Sequence, residues 1–362
     1  MAEINIDLSK FLQYSPYGTF DRSIAETLRG INHTQIPTPI PNYKEVYGLT
    51  FMTRPQLNMT TQNLRSNRKF INLLTNNESS YQRYVRCALD PRLNYLNKGF
   101  DCPLLDHDCA FIPLLSNHIT SLSGWPDPQL DTYTSPQGVY KEQFSIVDSI
   151  TDIFWSYDMT ASFRNMPGDP ASLLFQTWME YISNVYMGIM TPYIDMITNN
   201  EIDYQTRIYR FVLDRTRRRV VKFGCTGISV PISINIGESF NFEADKVYNQ
   251  AYDTIQVTFR NSGARYNDPI IIEDFNDTVV IFKPEMAESE RESYMIKIDP
   301  DASMFYKSYC YPRIDPDTFN LEWWVTMEDY IRVDSEYKQH YQSLYGDKVD
   351  NYNTPHRSTT QY

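Results

Sequence analysis

Between Cys102 and Cys109 the chain places two thiols, the imidazole of His107 and the carboxylates of Asp106 and Asp108, a set from which zinc could draw sulfur and nitrogen ligands. Structural zinc sites favour Cys-x2-4-Cys spacing and a fourth ligand, whereas Pro103, Leu104 and Leu105 lie among the six residues separating these cysteines. Buried thiols in a loop are therefore the expectation, and no metal ligand is assigned. The five histidines, His33, His107, His118, His340 and His356, stand apart, with no His-Glu-x-x-His and no pair at ligand spacing. No Gly-x4-Gly-Lys-Ser/Thr, Gly-x-Gly-x-x-Gly or Gly-x-Ser-x-Gly occurs, so neither a nucleotide cradle nor a hydrolase elbow is visible. The expectation is a protein with no catalytic residues, no cofactor and no metal. An enzyme reading would need a cleft that joins His107 and Asp106 or Asp108 to a nucleophile.

The strongest local charge feature is Asp214-Arg215-Thr216-Arg217-Arg218-Arg219. It lies between two β-rich runs, Arg207 to Leu213 and Val220 to Cys225, which predict a hairpin with a basic tip. Guanidinium groups so clustered suit three roles: a solvated turn, a contact with an acidic surface of another subunit, or a phosphate contact. Arg215, Arg217, Arg218 and Arg219 are carried forward as subunit-interface candidates.

The elements that would position them follow from periodicity. Tyr157 to Arg164 alternates as a half-buried strand. Asp169-Pro170 has the form of an N-cap followed by proline at the first helical position, and Leu173, Leu174, Trp178, Tyr181, Ile182 and Val185 give one apolar face through about Met187. Ser229 to Ile236 and Thr254 to Arg260 read as two further strands, Tyr47 to Arg54 as another stopped by Pro55, and Asn67 to Leu74 as a short helix. Alternate prolines in Ile36 to Asn42 predict an extended arm. The Pro, Asp, Ser and Gly punctuation from Asp101 to Pro136 predicts long loops.

At 362 residues the chain is long enough for a substantial core without staples. Five scattered cysteines argue against a disulfide framework, the acidic N-terminus has no signal-peptide pattern, and no apolar run reaches membrane-spanning length. A net charge of −12 disfavours a protein whose main task is gripping nucleic acid. From Glu285 to Asp350 fifteen carboxylates face seven basic side chains, which makes the C-terminal region acidic. Aromatic residues reach 14%, with 28 Tyr, a composition suited to protein contacts.

Three stretches together, Phe154 to Arg164, Leu174 to Ile182 and Gly263 to Pro269 running on to Phe275-Asn276, resemble the tail tube and baseplate-hub proteins of contractile-tailed phages, and Thr53 to Asn58 is similar to phrasing in such virion proteins. The resemblance implies an α+β fold: a central antiparallel β-sandwich or barrel of tail-tube type with one long flanking helix. To it would be added an irregular N-terminal region and an acidic C-terminal extension. It implies a non-enzymatic virion protein, assembled in the host cytoplasm, that joins copies of itself in a ring, hexameric in its usual form, and other tail or baseplate proteins. DNA would pass through an acidic lumen without sticking, and no membrane would be involved. The expected division is 1–137 as arm and peripheral region, 138–283 as the tail-tube-like β domain with helix 170–187, and 284–362 as the extension. The extra length favours a specialised ring at one end of the tube. The alternative is a peripheral baseplate or host-recognition module that binds through tyrosine-rich loops.

Overall fold

Strand-forming β-branched and aromatic residues dominate the runs that pair. In the computed structural model, which describes residues 47–96, 100–150, 153–214, 216–241, 244–245, 254–298, 306 and 310–335, they form one large antiparallel sheet. The expected proline arm at 36–42, the tail beyond 335 and Arg215 lie outside the described residues.

In chain order the elements are β1 (Tyr47–Met52), α1 (Tyr81–Leu89), α2 (Pro113–His118), β2 (Ile119–Ser123), β3 (Thr132–Thr134), β4 (Ser145–Val147), β5 (Ile153–Arg164) and α3 (Pro170–Tyr186). They continue with α4 (Ile194–Asn199), β6 (Ile208–Leu213), β7 (Val220–Ile234), β8 (Thr254–Tyr266), α5 (Ile270–Phe282), β9 (Met295–Ile298), β10 (Tyr311–Ile314) and β11 (Leu321–Thr326). Six strands form the main sheet in the order β1-β6-β7-β8-β5-β2. β1 and β2, from within 1–137, are hydrogen-bonded members of it. The edges are linked. Past β1, Arg54 N donates to Ala110 O (3.0 Å) and Ile112 N donates to Met52 O (2.9 Å), and that same segment runs through α2 into β2 at the far edge. The result is a nearly closed, barrel-like sheet.

The long helix begins at Pro170 as predicted, but Asp169 does not cap it through its side chain. It adopts a left-handed backbone at φ 56° and accepts instead from the Ser172 hydroxyl (2.8 Å). The Ser229–Ile236 run and the second hairpin strand prove to be a single 15-residue strand, β7. Gly227 explains the continuity, because a Cβ there would stand 2.5 Å from Ser262 O on β8. Pro231, which has no N–H to give the ladder, coincides with the register shift between Pro231 and Ser233. The predicted short helix is a 3-10 turn over Arg68–Leu73, opened by the Asn67 side chain accepting from Lys69 N (3.0 Å). The predicted loops after Asp101 contain α2, β2 and β3.

Two apolar clusters hold the layers. α3 lays Leu174, Phe175, Trp178 and Tyr181 against Ala161, Phe163, Val257 and Phe259 of β5 and β8. α5 packs Ile271, Phe275 and Val279 against Phe51, Tyr209 and Phe211 of β1 and β6. There Phe275 meets the rings of Phe211 (4.9 Å) and Phe51 (5.2 Å) edge-on and stacks on Phe111 (5.1 Å). A three-stranded sheet, β10-β11-β9, completes the second layer. It is tied to α5 by Asn276, whose amide donates to Ile314 O (2.7 Å) and accepts from Ile314 N (3.0 Å).

Candidate functional site

The predicted basic tip is the turn between β6 and β7. Asp214 organises it, its carboxylate accepting from the amides of Arg218 (3.1 Å) and Arg219 (3.3 Å) and from the Thr216 hydroxyl (2.7 Å). Partial burial pushes the Asp214 carboxyl up, but these hydrogen bonds outweigh it and hold the group below the ordinary aspartate range. Arg217 turns the chain at φ 59° and lays its guanidinium 4.6 Å from the ring centre of Tyr47. The tip backbone is not free. Leu321 N donates to Arg218 O (2.7 Å), Val220 N donates to Phe319 O (2.8 Å), and the rings of Phe223 and Phe319 stack at 5.9 Å. The turn between β10 and β11 therefore braces the tip, while the side chains of Arg217 and Arg218 stay exposed and that of Arg219 is half-buried. No local sequence signal links residues about a hundred positions apart.

The Cys102–Cys109 loop is built as a fastener. His107 Nε2 accepts from Cys102 N (3.1 Å), Asp106 accepts from the Tyr311 hydroxyl (2.8 Å), and Asp108 pairs with Lys283 (2.7 Å). Burial pushes the Cys109 thiol up to about 11 and lowers the His107 imidazole, so neither is set as a nucleophile or base near neutral pH. Among the described residues no cluster of three or more His, Cys, Asp or Glu could hold a metal ion. A cleft of about 260 Å³ between α5 and β10 is lined by Glu273, Asn276, Asp277, Glu288, Arg291 and Arg313 together with apolar residues, and no His, Cys, Ser or Lys lines it.

A further surface is the face of β8, β5 and β2 that lies opposite α3. Register puts Asp158 across from Arg260, Thr160 across from Thr258 and Ser162 across from Gln256; Ser123 and Ser121 of β2 extend the same rows. All are exposed or half-buried. Asp158 and Arg260 pair at 3.0 Å, so the face is rich in hydroxyls with its central charges matched. The described carboxylates of the C-terminal region instead sit on 285–335, in and around the three-stranded sheet.

A second surface projects from the sheet. β3 and β4 pair only with each other, every residue of both strands is exposed, and Val139, Tyr140 and Phe144 at the far end are 95%, 91% and 64% exposed. Sequence pattern places β3 within the expected loops of 101–136 and marks no strand at 145–147, because three-residue strands give too short a period to recognise.

Among the described residues no helix is long and apolar enough to cross a membrane. No curated protein matches the chain. Among solved structures, the chain is similar to the tube-terminating cap of the anti-feeding prophage, at 14% identity over 44% of this chain and 82% of that one, with a TM-score of 0.27. It is also similar to the sheath/tube terminator of the PVC extracellular contractile injection system in its extended state, at 14% identity over 44% and 87%, with a TM-score of 0.26. A further similarity is to the sheath–tube complex of that system, at 16% identity over 44% and 82%, with a TM-score of 0.25. The family described as "Putative phage tail tube protein" matches residues 3–338, nearly the whole length, and the chain therefore belongs to this family of phage tail tube proteins.

Proposed function

We propose that the protein is a ring-forming structural subunit of a phage tail, and that its uncovered β8-β5-β2 face lines a passage for DNA. The observation that carries this reading is the composition of that face. A surface that must let a polyanion slide can present few unmatched cations, since phosphate binding grows with each lysine or arginine it neutralises. Here Arg260 is matched by Asp158 and the central rows are Ser, Thr and Gln, which leaves Arg164, at the end of β5, as the single cation of the face without an ion pair among the described residues. Such hydroxyls stay hydrated and hold DNA weakly.

The ring, its six-fold order and its partners among other tail or baseplate proteins belong to this proposal. So does the role of Arg217 to Arg219 as subunit contacts. The test is electron cryomicroscopy of assembled particles with this chain located. The expected result is that Thr258, Ser162 and Arg260 face the lumen. A map placing them on the outer wall, or placing the chain as an isolated peripheral subunit, would return it to the host-recognition reading.

A further inference from the structure

The β3–β4 ribbon is poorly explained as a free-standing element. A lone two-stranded hairpin is marginal in water, and this one exposes apolar side chains along one face. Tyr133 lies directly opposite Ile146. Phe144 shares that face by the two-residue alternation of a strand, since Ser135 N donates to Phe144 O (2.9 Å) and continues the same ladder. At the base, Asp148 N donates to Asp131 O (2.9 Å), so Asp131 and Asp148 are also opposed on the Tyr133–Ile146 face. Like charges directly opposite one another destabilise a hairpin, and neither carboxylate has an ion-pair partner among the described residues. The ribbon thus presents an apolar stripe ending in two carboxylates that lack a cation.

Topology points to where that cation lies. β8 ends and β5 begins at the same end of the sheet at which β6 passes into β7, since Gly224 pairs with Tyr266 and Ile153 pairs with Ala264. The ribbon is rooted at Trp125–Pro126, where the Tyr266 hydroxyl of β8 donates to Pro126 O (2.6 Å) and the Trp125 and Tyr266 rings lie 5.8 Å apart, whereas the Arg217–Arg219 turn, with the Tyr47 ring beneath Arg217, joins β6 to β7. The two features therefore occupy the same end of the sheet as separate projections. Two different patches on one subunit can meet head to tail between identical copies, and such contacts make rings where the rotation closes. Charge agrees. From 126 to 150 the carboxylates of Asp127, Asp131, Glu142 and Asp148 face only Lys141, while the turn carries Arg217, Arg218 and Arg219 around the single Asp214.

We infer that the ribbon of one copy docks on the β6–β7 turn of the next copy, with Asp131 and Asp148 meeting Arg217 and Arg219 and with Tyr133, Phe144 and Ile146 covering Tyr47 and Val221. This rests on the reading of the chain as a ring-forming subunit. It goes further by naming both halves of the contact.

The experiment is a charge-swap series on the full chain: D131K/D148K, R217D/R219D, and the four substitutions together. The assembled fraction is read by light scattering and negative-stain microscopy, and the fold by circular dichroism and thermal melting. Each double variant should keep the wild-type melting curve and lower the assembled fraction by about tenfold or more, and the combined variant should recover to within about threefold of wild type. A ribbon variant that assembles like wild type overturns the docking while leaving the ring reading intact. Failure of the combined variant to recover, with its fold unchanged, also overturns the pairing. A wild-type chain that stays monomeric at high concentration and under chemical cross-linking removes both.

Discussion

Asp90 is a buried carboxylate with three hydrogen-bond partners. It accepts from Met59 N (2.8 Å), Arg92 N (3.0 Å) and the Tyr193 hydroxyl (2.7 Å), joining the end of α1 to the loops before and after it. Burial nevertheless dominates and pushes its carboxyl up to about 6; the hydrogen bonds, with the Arg54 charge behind them, only partly offset it. Because the folded state holds this proton more tightly than the unfolded chain, the contribution of Asp90 to stability is full below about pH 4. It is lost as pH rises through about 6, with a slope set by the difference in bound protons. Unfolding midpoints in denaturant should show this. The stability of wild type relative to D90N should fall between pH 4 and pH 7 and be flat above it, and a difference independent of pH would contradict the assignment. Asp90 was not legible in the sequence, because its role arises from residues about thirty and a hundred positions away. Arg54 was likewise noticed only as part of a familiar string. Its guanidinium is buried and donates to Ala88 O (3.2 Å), His107 O (2.9 Å), Cys109 O (3.1 Å) and Cys87 O (2.6 Å), satisfying last-turn carbonyls of α1 that would otherwise be orphaned. The Arg217–Arg219 cluster was legible because like charges in a turn stand out locally, but its brace against Phe319 and Leu321 was not.

At the scale of elements, legibility followed length and period. α3 was readable because seventeen residues repeat an apolar face several times, and the hairpin was readable from two β-branched runs around a polar turn. The joining of two expected strands into β7 was hidden by Gly224 and Gly227, residues that in isolation signal a break. Here they permit close approach, with Gly224 lying against the Tyr266 ring and Gly227 against Ser262 O. The ribbon gave no periodic signal at all, and the physical reason also yields a prediction. An element that buries nothing against the body contributes little to its stability. Replacing 130–149 by a short Gly-Ser turn should therefore shift the unfolding free energy of the monomer by less than about 1 kcal/mol, measured by urea denaturation, while abolishing assembly. A loss of several kcal/mol would mean that the ribbon packs on its own subunit.

At the scale of the whole molecule, the fold divides its two faces by chemistry. Helices α3 and α5 and the three-stranded sheet cover the apolar side of the strands. The described carboxylates of 285–335 lie with that three-stranded layer, leaving the uncovered β8-β5-β2 face nearly neutral. The acidity of the chain is thus not placed where DNA would be met on the proposed reading. Low affinity for DNA would come from the scarcity of unmatched cations on that face, where exposed Arg164 at the end of β5 is without an ion pair among the described residues and Arg260 is matched, with repulsion a lesser contribution. This distinction can be measured. Replacing Ser162, Gln256 and Thr258 by Lys adds three cations to exposed or half-buried positions without touching either apolar cluster, so folding and assembly should be unchanged. Each added cation in register with the backbone raises the salt dependence of binding, by a logarithmic slope of about 0.9 per phosphate neutralised on duplex DNA. Assembled rings of the triple variant should retain duplex DNA at low salt and release it as salt rises, whereas wild-type rings should retain none at either. Equal, weak binding by both would place the lysines away from the DNA path and assign the lumen to another face of the subunit.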